Sequence, residues 1–465
     1  AQSGGLALRS LSELRDIVTQ MRDGLVLMNS LAPLGGELLG GDGIRKYLVL
    51  GQSADELRAT GGFVSAAWEV TFENGGLAGI EYQDAVRVDD YERLHLYPVA
   101  PPGLETHMNG WVWLLRDVSW DPDFPTTARS AQDLYRIGQR QEVDGVIAIN
   151  QWSLLRVIEA LGEIPAPMGG LPINSRNLLS VLEQGTDEHG RAYMDLVLQG
   201  LLDSLDNSAS LPRMLDLASS MFDTLENRDT LLYFDNPDLQ SVMASFGWDG
   251  SIEQHGGDYL MVVDSNVGWS KVDRNIQRGV SYTVDLSRQA RPRATLTLDY
   301  TNHSGPGSPG CAPQWQNRGS NYGQLKNACY WNFLRVYMPQ EARLLSSTPL
   351  PLPEHTVAVE IAKGVPGQET GEMSSSHGKS VFSGLTSLEA GESQEINLVY
   401  DLPQSILMES GDRLIYKLTL QKQPGVPRRA VSVDVIAPAG YELAERSLTP
   451  VEVTDSRASF FLDLT

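Results

Sequence analysis

Near Gly250 the spacing of apolar residues changes period, and that change limits what this 465-residue chain can fold into. Upstream, apolar residues recur every three or four positions over Thr126 to Gln139, Ser153 to Leu161, Asn174 to Glu183, Asp187 to Leu205 and Leu211 to Leu225, the spacing of amphipathic helices. Short apolar and β-branched runs lie between them: Tyr47 to Leu50, Trp111 to Arg116, Gly145 to Ile149 and Leu231 to Phe234 read as strands. Phe63 to Phe72 and Leu77 to Tyr82, joined by Asn74-Gly75-Gly76, read as a hairpin. Strands alternating with helices specify a sheet with helices packed over it.

Downstream of Gly250 the helical period disappears. Strands are expected at Tyr259 to Val263, Val280 to Leu286, Ala294 to Tyr300, Asn332 to Tyr337, Thr356 to Ile361, Glu395 to Tyr400, Leu414 to Gln421, Ala430 to Ile436 and Ser459 to Leu464. Turn-rich sequence separates them, the pattern of an antiparallel sandwich. Ser304 to Gly323 and Gly364 to Gly378 read as long loops. At the other end, Ser10-Leu11-Ser12-Glu13 is a capping box opening a helix with a heptad seam at Leu11, Leu14, Val18, Met21, Leu25 and Met28. The expected fold is therefore an α+β multidomain chain: an amphipathic helical stalk over residues 1–44, an α/β domain over 45–254, and an antiparallel β-sandwich region over 255–465, as one unit or two subdomains.

Charge narrows the partners. With 59 acidic and 36 basic side chains the formal charge is -23, which repels phosphate backbones and disfavours nucleic acid. No apolar run is long enough to span a bilayer, and the Ala-Gln-Ser-Gly-Gly start has no signal-peptide character; a start without Met reads as a chain whose upstream part has been removed. Cys311 and Cys329, 18 positions apart in Gly/Asn/Pro/Gln-rich sequence, read as a disulfide closing a loop, with two free thiols as the alternative. The disulfide reading places the protein outside the cell.

Several residues invite a chemical reading. Asp117, Asp121 and Asp123 stand close enough in sequence to offer oxygen ligands to Mg²⁺ or Ca²⁺; the commoner outcome is a rigid turn whose carboxylates accept backbone N–H bonds ahead of the helix at Thr126. Arg58 and Arg116 have Asp55, Glu56 and Asp117 as structural ion-pair partners, and Gly61-Gly62 reads as a tight strand entry because no phosphate-loop pattern accompanies it. The histidines are scattered, and no zinc-protease or serine-hydrolase motif occurs.

The run from Tyr47 to Phe63, YLVLGQSADELRATGGF, resembles the signature of a bacterial extracellular family known only as domain of unknown function 4012. The segments Leu115-Arg116-Asp117 to Pro125, Asp144 to Ile149, Tyr233-Phe234 with Gly247-Trp248-Asp249-Gly250, and Asp264 to Gly268 match it too, and Cys329 to Pro339 and Gln421 to Gly425 extend the likeness downstream. The resemblance implies an outward-facing protein held by an N-terminal membrane helix, a segment this sequence lacks.

More remotely, the α/β half resembles the LytR-CpsA-Psr ligases. That likeness implies transfer of a cell-wall glycopolymer from a polyprenyl pyrophosphate, with Arg116 and Arg191 on the phosphates and Asp117 on Mg²⁺. The chain departs from the ligase pattern where Leu115 replaces a proline and where Arg191-Ala192-Tyr193 lacks a second arginine. The first expectation is a non-enzymatic cell-surface structural or interaction protein needing no cofactor. Its partners would be other surface proteins or itself, and its only link to the membrane would be the missing anchor. The alternative is a Mg-dependent glycopolymer transferase or polyprenyl-pyrophosphate binder.

Overall fold

The computed structural model describes residues 32–464 except 191, 207–209, 289, 306–310, 312–313, 318–319, 428, 443, 445 and 455. The expected stalk helix from Leu11 to Met28, and Arg191, lie outside the described residues.

The first half is built on one mixed sheet. Strands β1 (Arg45–Ser53), β2 (Phe63–Glu73), β3 (Gly76–Asp84), β4 (Gly145–Asn150) and β5 (Thr230–Phe234) lie in the order β3-β2-β1-β4-β5, and only β1 and β4 run parallel. Two residues close the β2–β3 hairpin: Asn74 and Gly75 both take positive φ, at 53° and 82°. Asn-Gly tolerates that conformation, which matches the twist of the paired strands.

The six longer helices are α1 (Phe124–Gln139), α2 (Gln151–Leu161), α3 (Leu178–His189), α4 (Tyr193–Asp206), α5 (Leu211–Glu226) and α6 (Pro237–Phe246). Phe124, Ala128, Ala131 and Leu134 of α1 cover one face of the sheet, meeting Leu48, Leu50, Val64, Val146 and Leu231. Leu239 and Met243 of α6 join Trp248 on the other face, against Tyr47 and Phe234. Helices α2, α3 and α4 bury a separate cluster around Ile158, Leu178 and Val197. Two expectations fail here. Gly190, at φ 75°, divides the run Asp187 to Leu205, so α3 ends at His189 and α4 begins at Tyr193. Trp111 to Arg116 is no strand either: only Val112 pairs, with Val99, and a single 3-10 turn covers Leu115–Asp117.

In the second half, β6 (Asp258–Val263), β7 (Ile276–Asp285), β8 (Arg293–Asn302), β9 (Tyr330–Met338), β10 (Arg343–Ser347), β11 (Glu372–Ser376), β12 (Lys379–Leu388) and β13 (Ser393–Asp401) are followed by β14 (Leu407–Ser410), β15 (Arg413–Tyr416), β16 (Leu418–Gln421), β17 (Arg429–Ile436), β18 (Glu452–Val453) and β19 (Arg457–Leu464). They form a seven-stranded sheet, β10-β13-β8-β7-β17-β19-β18, a five-stranded sheet, β11-β12-β9-β6-β16, and the β14–β15 hairpin. The two larger sheets share a core that includes Val262, Leu334, Val336 and Phe382 from one and Tyr282, Leu296, Leu398 and Val433 from the other.

Pairing is mostly antiparallel, as expected, but β17 runs parallel to β7 and β16 parallel to β6. Thr356 to Ile361 is a short helix, Val357–Glu360, rather than a strand, because the Thr356 hydroxyl caps it by accepting from the Val359 amide. The loop expected from Gly364 to Gly378 contains β11, and Lys417 divides the run Leu414 to Gln421 between β15 and β16.

Alternation tells the two sheets apart. In β7 and β8 buried residues alternate with more exposed ones, as in strands with one wet face. Every residue of β6 and all but one of β9 are buried, because the first half packs over the outer face of the five-stranded sheet. Ala59 and Ile252 meet Tyr259, Met261 and Tyr337 there, and Leu104, Met108 and Trp120 meet Trp331 and Leu385.

Cys311 and Cys329 are disulfide-bonded, with their Cα atoms 5.3 Å apart, and both sulfurs border the cluster around Trp331. Closing a loop of 18 residues removes conformations from the unfolded chain, by about 3 kcal/mol in the chain-entropy model. Reduction, or Cys329→Ser, is expected to lower the thermal unfolding midpoint by that amount of stability. A scan with and without dithiothreitol measures it, and identical midpoints would refute it.

Candidate functional site

The residues that carry the family signature meet where the two halves join. Leaving β1, the chain makes one buried 3-10 turn, Ala54–Glu56, then enters β2 through Gly61 and Gly62 at φ 127° and 151°. A Cβ on Gly62 would lie 2.2 Å from the Ser53 carbonyl oxygen, so the pair is a steric requirement of the strand entry. Leaving β6, residues 264 to 273 come back against this turn. The Asn266 amide donates to the Leu57 carbonyl at 2.9 Å, and the Leu57 amide donates to Asp273 Oδ2 at 3.1 Å.

Charge fills the joint. Arg58 is fully buried; its guanidinium donates to the Asn266 and Leu57 carbonyls and to Glu56 Oε1 at 3.0 Å, and it stands 3.6 Å from Asp117 Oδ1. Lys271 Nζ holds the other Glu56 oxygen at 2.9 Å. Burial alone would raise the Glu56 pKa, but the Lys271 and Arg58 charges outweigh it and hold the carboxyl below its ordinary range. Asp55 accepts from Arg274, Tyr322 and Gln151.

Deeper in the sandwich, Asp264 is fully buried and accepts from Arg278 Nε at 3.0 Å, Arg429 Nη2 at 2.7 Å, the Tyr300 hydroxyl at 2.7 Å and Asn332 Nδ2 at 2.8 Å. Its pKa is lowered despite burial, because the Arg429 and Arg278 charges and these hydrogen bonds favour the carboxylate. Gln423 ties both layers together, donating to the Arg58 and Asp264 carbonyls at 3.1 and 2.7 Å.

The three aspartates singled out in the sequence have different partners. Asp117 faces Arg58 and, at 3.4 Å, Arg116 Nε. Asp121 accepts from His377 at 2.8 Å across the joint. Asp123 caps α1 through the Thr126 amide and accepts from the Ile252 amide, both at 3.1 Å. Among the described residues no group of three His, Cys, Asp or Glu side chains stands close enough to hold a metal ion.

Arg116 is the accessible member of the cluster, with 37% of its side chain exposed. Beside it lies Asp89, which accepts from the Leu115 amide at 3.1 Å and whose pKa burial raises to about 7 against the pull of that bond and of Arg116. Burial also raises the Asp117 pKa, and Arg58 and Arg116 oppose it. Arg116 is exposed enough to meet an anionic group from solvent, whereas Asp89 is only 5% exposed. Nothing in the local sequence marked Asp89, His377, Lys271 or Arg274; each reaches the joint from a distant segment.

The stretch that builds the turn, the Arg116–Asp117 pair and the capped start of α1 matches a family model over residues 42–186. That family is the protein of unknown function DUF4012. The DUF4012 segment takes in β1 to β4, α1, α2 and most of α3, and contributes Asp55, Glu56, Arg58 and Asp117 to the joint, whereas Asp264, Lys271 and Arg278 come from beyond it.

Among solved structures the chain is similar to the protein gbs0355 from Streptococcus agalactiae, at 13% identity over 44% of this chain and 73% of that one, with a TM-score of 0.30. It is also similar to the Lin1025 protein from Listeria innocua, at 14% identity over 47% and 86%, with a TM-score of 0.25. Likenesses this slight carry no argument about fold or activity here. No curated protein matches the chain.

Proposed function

We propose that this chain acts at a bacterial cell surface as a non-enzymatic structural or interaction protein, meeting other surface proteins or further copies of itself. The observation that carries this reading is the burial of the signature charges. Asp55, Glu56 and Arg58 are at most 6% exposed and hold the DUF4012 segment against the sandwich, so a substrate cannot reach them without opening the joint. The disulfide fits an oxidising compartment, where such a bond persists. Among the described residues no helix is long and apolar enough to cross a membrane.

Arg116 supports a second reading, a polyprenyl-pyrophosphate binder or Mg-dependent glycopolymer transferase of LytR-CpsA-Psr type, because it is half exposed beside Asp117 and Asp89. In that reading Asp117 would hold Mg²⁺, and it would first have to give up its contact with buried Arg58. One titration separates the two. Polyprenyl pyrophosphate is added to the full chain with and without Mg²⁺, and the first reading expects no saturable binding and no change in Arg116→Ala. Saturable, Mg-dependent binding that falls by tenfold or more in Arg116→Ala would replace the first reading with the second.

A further inference from the structure

On a chain of formal charge -23, three guanidiniums border one groove of about 700 Å³. Arg93 comes from the kinked 3-10 segment Tyr91–Leu96, and Arg136 and Arg140 from the last turn and cap of α1; Leu96 and Ile137 complete the lining. The spacing between these elements is fixed. Gly138 presses so closely on the segment before Arg93 that a Cβ there would sit 2.2 Å from the Val88 carbonyl oxygen, and Gln139 Nε2 donates to that same oxygen. Tyr97 locks the segment from its far end, its hydroxyl accepting from the Asp90 amide at 2.7 Å.

Basic side chains in a last helical turn ordinarily serve the helix dipole and nearby acids. Arg136 does so in part, pairing with Asp133 at 2.7 Å, and Arg93 lies 4.0 Å from Asp90. Each partner engages only part of a five-donor guanidinium. Arg140 has no ion-pair partner among the described residues and is held in the left-handed conformation at φ 59°. The Asp90 and Asp133 carboxylates offset part of the charge of Arg93 and Arg136, and Arg140 adds a cation that an anion in the groove would neutralise. Guanidinium forks match phosphate oxygens two by two, and exposed Leu96 with half-buried Ile137 gives the lining an apolar side.

We propose that this groove binds a ligand with closely spaced phosphate groups, held by Arg93, Arg136 and Arg140. The site is separate from Arg116, and the proposal stands independently of both readings above.

Calorimetric titration of the full chain with inorganic tripolyphosphate, and in parallel with a glycerol-phosphate oligomer, tests it and distinguishes a free polyphosphate from a phosphodiester polymer as the source. Saturable binding of either probe is expected, weakened about tenfold by Arg140→Ala and abolished by the triple change Arg93→Ala/Arg136→Ala/Arg140→Ala. Arg129→Ala, on the same helix but stacked over Tyr233, is expected to bind as wild type. The proposal is overturned if neither probe binds, if the triple variant keeps its circular dichroism spectrum and binds unchanged, or if Arg129→Ala costs as much as Arg140→Ala. Citrate binding as tightly as tripolyphosphate would overturn the phosphate assignment.

Discussion

Asp264→Ala is expected to lower stability by about 3 to 5 kcal/mol, the range for breaking a buried ion pair from one side. The carboxylate is enclosed by Arg278 and Arg429, themselves only 7% and 5% exposed, and by the Tyr300 hydroxyl and Asn332 amide. Removing it leaves two buried cations to repel each other, with Arg278 retaining Asp273 and Arg429 retaining, among the described residues, the Val262 carbonyl. The methyl group that replaces the carboxylate can satisfy none of the four donors. Urea unfolding followed by tryptophan fluorescence measures the loss, and a change under 1 kcal/mol would refute the account.

The same residue sets a pH dependence. Its folded pKa lies below the unfolded value, so the stabilisation is fully present above the ordinary aspartate range and is lost as pH falls through the folded pKa. The gap between wild type and Asp264→Ala therefore narrows as the solution is acidified below about pH 4.

Arg58→Met is the second large effect. Methionine keeps the apolar stem as far as the Nε position, so the charge and its donors disappear and the volume of the buried guanidinium is left unfilled. Asn266 then loses a donor to its carbonyl, Glu56 depends on Lys271 alone, and Asp117 depends on half-exposed Arg116. A cost of about 3 to 5 kcal/mol is expected, again because a buried partner is left behind. The damage concentrates at the joint, so amide exchange at Leu57 and Asn266, which bond across it, should accelerate while exchange within the β7–β8 pairing is unaffected. Unchanged protection at both amides would show that Arg58 does not hold the halves together.

The sequence made much of the scaffold legible. The β2–β3 hairpin follows from Asn74-Gly75, the start of α1 from Asp123 and Pro125, and most sandwich strands from period-two runs that remain half wet. It misled where a local signal competed with the run. Val357 to Ile361 is rich in β-branched residues, yet the Thr356 cap and the burial of Val357 and Ala358 make it helical. The two parallel pairings, β7–β17 and β6–β16, were invisible because they join strands more than 140 residues apart.

The joint was legible only in pieces. Ala54 to Gly62 and Asp264 to Gly268 stood out as segments, and ion pairing of Arg58 with Glu56 was a local inference, two residues apart. That Lys271, Arg274, Asp273 and Gln423 converge on the turn from Asp55 to Arg58 needed the fold, since each arrives from more than 200 residues away. Local periodicity and turn chemistry act over a few residues, and so the sequence by itself determined most of the elements, the change of period near Gly250 and the cysteine loop. Whether a given charge faces solvent or a buried counter-charge depends on which distant surface covers it. Tertiary packing alone decided that Arg58 is enclosed, Arg116 half open and Arg140 without an ion-pair partner among the described residues.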